Sequence, residues 1–152
     1  MRVGAIGVIH IRTMWHANDE LARDWLSAPF RIRTAADAVQ LLGTSLQHAP
    51  IEKLRLAHLE GDGGLIAVTE ESGGKDIILF GLAQIIRDAC MLGTSRILVA
   101  HNHPSGDPTP SRADRYATRR LAETLQLLEI ELVDHLIFAR GGVASFRGMG
   151  LL

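Results

Sequence analysis

Two histidines one residue apart, His101 and His103, close the apolar run that begins at Arg96, and a turn-rich spacer of seven residues leads on to Ser111 and Asp114. Residues i and i+2 of a strand project to one face, so both imidazoles point the same way. That is how two ring nitrogens converge on one metal ion. Pro104, Gly106, Pro108 and Pro110 then turn the chain, since proline removes a ladder donor and glycine accepts turn conformations. A helix starting at Ser111 carries Asp114 in its first turn back over the strand end, where the carboxylate makes a third ligand. Three protein ligands leave a fourth zinc position for water, which the cation renders acidic near neutral pH.

The Ser-x-x-Asp spacing has a plainer reading as a capping box, in which Ser111 accepts from the N3 amide and Asp114 answers from N3. For that pair alone capping is the commoner reason, because helices need caps far more often than proteins need metals. The conjunction in fixed order shifts the balance toward a site. Ser111 is placed to cap the helix and face the metal at once.

The chain that must position these groups has 152 residues, 47% of them hydrophobic and 22% charged, with a formal net charge of −1. This is one soluble domain's worth of sequence, without the basic excess of a general phosphate-backbone binder. Cys90 is the single cysteine, so no internal disulfide and no Cys-x-x-Cys zinc site exists. Any metal rests on His, Asp or Glu. The apolar N-terminal run between Arg2 and His10 is too short to span a bilayer and no signal-type cleavage pattern follows it, so the chain reads as cytoplasmic with no membrane partner.

Helical spacing predicts helices over 17–27 and from Thr34, the latter with Thr34 as N-cap. Residues 54–60 and 65–70 read as a hairpin about the GDGG turn, and 81–92 as a helix presenting Leu82, Ile85, Ile86, Ala89 and Met91 to the core. Residues 96–100 read as a central strand covered on both faces. A long helix from Ser111 to about Leu128, a strand over 130–140 and a last turn and strand complete a mixed α/β sandwich.

The stretch HNHPSGDPTPSRAD, residues 101–114, resembles the signature of the RadC family, a bacterial branch of the JAB/MPN metalloprotease-like domains, and matches it at His101, His103, Ser111 and Asp114. The segment LVDHLIFARGGVASFRGMGLL is similar to the C-terminal end of that family. The resemblance covers about residues 50–152, dividing the chain into an N-terminal helical extension, 1–50, packed on a JAB/MPN domain, 51–152. It implies an α/β fold like that of cytidine deaminases, a mixed β-sheet flanked by helices. It also implies zinc (Zn2+) on His101, His103 and Asp114, a Ser111 hydroxyl that stabilises a tetrahedral intermediate, and an upstream Glu that activates water to cut peptide or isopeptide bonds.

That Glu belongs at the end of the strand before the 81–92 helix, where Glu70 and Glu71 stand side by side. Neighbours on a strand face opposite ways, so one alone reaches the site. Glu70 is preferred, because its distance to His101 and to Gly73 better fits RadC-like sequences; Glu71 is the alternative. A peptide or protein is the expected substrate, with DNA or repair proteins as other partners and a homodimer left open. The first fifty residues show no clear copy of the helix-hairpin-helix of longer members. Two readings compete with the hydrolase: a non-catalytic accessory domain in DNA repair or recombination, and a metal-dependent nuclease. A deaminase is disfavoured because its Cys-x-x-Cys is absent.

Other residues carry weaker signals. His135 is expected to be a buried, hydrogen-bonded histidine, with a supporting role at the site as the alternative. Asn102, facing away from its two neighbours, is expected to brace the loop. Ser105 and Asp107 bond to nearby backbone in the turn, with Ser105 also beside any substrate. Cys90 reads as a small core residue. Arg112, Arg115, Arg119 and Arg120 give the long helix a basic, solvated side.

Overall fold

The computed structural model describes residues 30–43, 45–72 and 77–152. The helix expected over 17–27 lies outside the described residues. Thr34 opens α1 (Ala35–Gly43): its hydroxyl accepts from the Asp37 amide at 3.2 Å, and Asp37 Oδ2 accepts from the Thr34 amide at 2.9 Å. This reciprocal cap is the one its sequence encodes. Strands β1 (Lys53–Leu59) and β2 (Leu65–Ser72) form the expected antiparallel hairpin. After α2 (Ile77–Leu92) come β3 (Arg96–Asn102), α3 (Arg112–Leu127), β4 (Glu131–Ala139) and β5 (Gly142–Ser145).

The five strands run in the order β2-β1-β3-β4-β5, antiparallel except for the β3–β4 pair, with α3 as the crossover between those two. This is the mixed sheet flanked by helices that the sequence predicts. Side-chain alternation splits β3 between two apolar layers. Ile97 and Val99 join Ile85, Ala89 and Leu121 beneath α2 and α3, while Leu98 and Ala100 join Leu41 and Leu42 of α1 on the other face. A strand buried on both sides needs a continuous apolar run, and RILVA supplies one. Among the described residues no helix is long and apolar enough to cross a membrane.

Helix α2 departs from expectation in which residues it buries. Ile85, Asp88 and Ala89 face the core, while Met91 is 79% exposed and Cys90 is exposed as well. The spacing 81, 85, 88 and 89 keeps to the period of 3.6 and includes a polar residue, Asp88, while Met91 lies about 60° beyond Asp88 on the side away from Ile85 and Ala89. Cys90 falls one step of about 100° beyond Ala89 and turns to solvent. It is therefore not a core residue.

Beneath α2, His58 is fully buried between two threonines, its Nδ1 3.1 Å from Thr94 Oγ1 and its Nε2 3.2 Å from Thr69 Oγ1. Burial outweighs the nearby Asp88 charge and lowers its pKa from 6.5 to about 4. Below pH 6.5 the unfolded chain takes up a proton that the folded one refuses, so this group destabilises the fold as pH falls from 6.5 to 4. The loss amounts to at most about 3 kcal/mol. Urea denaturation across that range is expected to show the slope in the wild type and a flatter one in His58→Gln; equal slopes would count against it.

Candidate metal centre

The end of β3 and the start of α3 meet as the spacing requires. Strand β3 pairs through Asn102, and His103 continues its line by donating its amide to Phe138 O at 2.8 Å. The chain then turns at Gly106, whose φ of 93° lies in the left-handed region that a side chain disfavours. The Gly141 amide donates to Gly106 O at 3.0 Å, so the spacer rests on the β4–β5 turn. Ser111 is the N-cap of α3: its Oγ accepts from the Asp114 amide at 3.1 Å, and Asp114 Oδ2 accepts from the Ser111 amide at 2.7 Å.

The capping carboxylate also reaches the histidines. Asp114 Oδ1 lies 3.3 Å from His101 Nε2, Asp114 Oδ2 lies 3.3 Å from His103 Nε2, and the two Nε2 atoms are 2.9 Å apart. One ligand atom from each of the three residues falls within 4.8 Å of the others. His101 is 1% exposed; the side chains of His103 and Asp114 are 16% and 13% exposed, so the cluster opens to solvent on one side. Burial pushes the Asp114 carboxyl up, but positive charge on the His101 side and the Ser111 hydrogen bonds outweigh it and hold it well below the usual carboxylate range. The carboxylate is ionised.

The donor set fits a cation. His103 Nδ1 lies 2.8 Å from Asp107 O, and a carbonyl only accepts, so Nδ1 carries the proton and Nε2 turns a bare lone pair inward. A second ring nitrogen and an ionised carboxylate face it. Ligand atoms about 2 Å from a tetrahedral zinc stand about 3.3 Å from one another, the scale of the contacts seen here.

Glu70 does not join this cluster. Its carboxylate accepts from Lys53 Nζ and Arg55 Nε, each at 2.7 Å, and Arg55 donates onward to Leu42 O and Ser45 Oγ. Glu70 pairs across the sheet with Arg55 and Arg55 with Ala100, which puts all three on the α1 face. Burial raises its pKa, and Lys53 with Arg55 lowers it further than burial raises it. Glu71 pairs with Leu54, and Leu54 pairs with His101, so Glu71 shares the face of the histidines. Two strand spacings separate the two backbones, about 10 Å. Gly81 of α2 leaves room for the carboxylate: a Cβ there would stand 2.9 Å from Glu71 Oε2. Burial, then the Asp88 charge, raises the Glu71 pKa. Register turns Glu70, the residue preferred from the sequence, to the face opposite the histidines and Glu71 to theirs, since a shift of one residue exchanges faces.

His135 is fully buried and stacks on Phe146 with ring centroids 4.6 Å apart. Its Nε2 is 2.7 Å from His101 Nδ1 and its Nδ1 is 2.6 Å from Thr118 Oγ1. Burial, then the neighbouring His101, holds the ring neutral by lowering its pKa well below 6.5. His135 is thus buried and hydrogen-bonded as expected, and one of its bonds is to His101. Asn102 braces the segment before β1 rather than the histidine loop, bonding to Ala49 O, Ile51 O and the Lys53 amide. Ser105 and Asp107 bond to turn amides as expected, and Arg112, Arg115, Arg119 and Arg120 are all exposed. Thr118 and Asp88 had no signal in the sequence beyond a helical position.

A mixed sheet with helices on both faces, carrying His-x-His at a strand end and Ser-x-x-Asp at the facing helix cap, defines a JAB-type domain. The family model of the RadC-like JAB domain matches residues 32–151, and the chain belongs to the RadC family. It is similar to the UPF0758 protein of Roseiflexus castenholzii, 36% identical over 123 residues that make up 80% of this chain and 53% of that one. A UPF0758 protein of Chloroflexus aurantiacus is 36% identical over 132 residues, 86% of this chain and 58% of its own. Another, of Symbiobacterium thermophilum, is 38% identical over 114 residues, 74% and 49%. The chain spans about half the length of these curated relatives.

Proposed function

We propose that the protein is a zinc-dependent hydrolase of amide bonds, peptide or isopeptide, in which His101, His103 and Asp114 hold the metal. The observation that carries this reading is the gathering of two Nε2 atoms and one carboxylate at the strand end. A zinc ion so held supplies an acidified water and polarises a substrate carbonyl. Glu71, on the same face and raised in pKa, takes the proton from the attacking water and returns it to the leaving amine. Ser111 accepts the Asp114 amide with one lone pair of its hydroxyl, and the hydroxyl proton, which otherwise bonds the Asp114 carboxylate, turns to the oxygen that gains charge on the reacting carbonyl. Asp114 stays an acceptor, held in place by the Ser111 amide.

Elemental analysis of zinc-supplemented protein is expected to find about one zinc per chain. A peptide and isopeptide library, assayed beside labelled DNA, is expected to show cleavage of amide bonds alone. Another divalent metal at the same stoichiometry would keep the site and change the ion. A folded, metal-free chain after supplementation would overturn the hydrolase and favour a non-catalytic accessory domain.

A further inference from the structure

We propose that Thr118 and His135 are positioning residues that set which ring nitrogen of His101 faces the metal centre. A threonine hydroxyl has one proton to give. Thr118 Oγ1 lies 2.6 Å from the main-chain oxygen of Asp114 and 2.6 Å from His135 Nδ1. A carbonyl oxygen only accepts, so the hydroxyl proton goes to Asp114 O. Thr118 then has only lone pairs to offer His135, whose Nδ1 must carry the hydrogen.

A fully buried ring whose two nitrogens meet a threonine hydroxyl and another imidazole keeps a single proton, because a charge buried without a carboxylate bonded to it is costly. His135 Nε2 is therefore bare and accepts from His101 Nδ1, 2.7 Å away. His101 has given its one hydrogen to that bond, and its Nε2 faces His103 and Asp114 as a lone pair. The tautomer of an imidazole is set by the hydrogen bond its other nitrogen makes. Here that bond leads through a second histidine to a threonine, and from it to the main chain of Asp114. Thr118 stands one helical turn after Asp114, so α3 carries both the carboxylate and the group that orders the opposing ring. A closed ring of contacts results, in which Asp114 is both the last acceptor and a member of the cluster.

This inference rests on the metal-site reading, but its first test needs no metal. In histidine-15N-labelled, metal-free protein, long-range NMR couplings are expected to show His101 and His135 both protonated at Nδ1. Thr118→Val keeps the shape and loses the hydroxyl, and is expected to shift His101 toward the Nε2-protonated form. It should also weaken zinc binding, measured against a chromogenic chelator, about 10- to 100-fold. Thr118→Ser is expected to restore both readouts, which a purely packing role for Thr118 would not produce. His101 protonated at Nε2 and bare at Nδ1 in the wild type, or zinc bound as tightly by Thr118→Val as by Thr118→Ser, would overturn the proposal. Both histidines protonated at Nδ1 in a chain that binds no zinc would uphold the relay and overturn the metal-site reading.

Discussion

Glu71→Gln is expected to lower kcat for amide hydrolysis by about 10²–10⁴-fold, the usual contribution of a positioned general base, while the zinc content stays at that of the wild type. Glutamine keeps the size and the polar end of the side chain but takes up no proton. The matched variant Glu70→Gln is expected to do the reverse. Glu70 holds Lys53 and Arg55 on the other face, and the Arg55 side chain is 7% exposed, so the loss falls on stability. Weakening that pair is expected to cost about 1–3 kcal/mol in urea denaturation with little change in kcat. Gly81→Ala probes the same carboxylate from the other side, since its methyl would stand 2.9 Å from Glu71 Oε2. Alanine suits a helix interior better than glycine by about 0.5–1 kcal/mol, so a fall in kcat without a fall in melting temperature would mark displacement of the base. If Glu70→Gln proved the inactive variant of the pair, the assignment of the base would be wrong.

The His101→Ala/His103→Ala double variant is expected to lose stoichiometric zinc and, with it, all zinc-dependent hydrolysis. Asp114 would remain, held by the Ser111 cap, but one carboxylate seldom retains zinc against buffer. A ligand that binds the folded state alone stabilises it by about 2.7 kcal/mol at about a hundred times its dissociation constant, and zinc is expected to do so for the wild type. The thermal midpoint of the wild type should therefore rise with zinc and that of the variant should not. Without metal the two chains are expected to unfold at similar temperatures, since the histidines crowd two nitrogens 2.9 Å apart and gain little unless a cation joins them. A zinc-induced shift that survived the double substitution would place the metal elsewhere.

The centre itself was legible because its instructions are local. His101 and His103 share a face by strand alternation, and Ser111 and Asp114 sit at N-cap and N3 by helix periodicity. The alternative readings of Ser-x-x-Asp, cap or ligand, turn out to be compatible, since one carboxylate oxygen accepts from the Ser111 amide and both lie 3.3 Å from an imidazole nitrogen. The glutamates were harder. Residues 65–71 run apolar into polar without alternation, so nothing in β2 marks which parity faces the histidines.

Residue types and spacing alone are enough for the groups within one segment: the paired histidines, the capping Ser111, the carboxylate of Asp114 and the apolar strand that carries them inward. How separate segments meet depends on the whole fold. The registers of β2 on β1 and β1 on β3 put Glu71, not Glu70, on the face of the histidines, packing brought His135 and Thr118 behind His101, and α2 buried Asp88 while leaving Met91 exposed. The physical reason is that periodicity fixes the direction of a side chain relative to its own element, whereas pairing register depends on turns and packing. A slip of one residue keeps every local preference and exchanges every face.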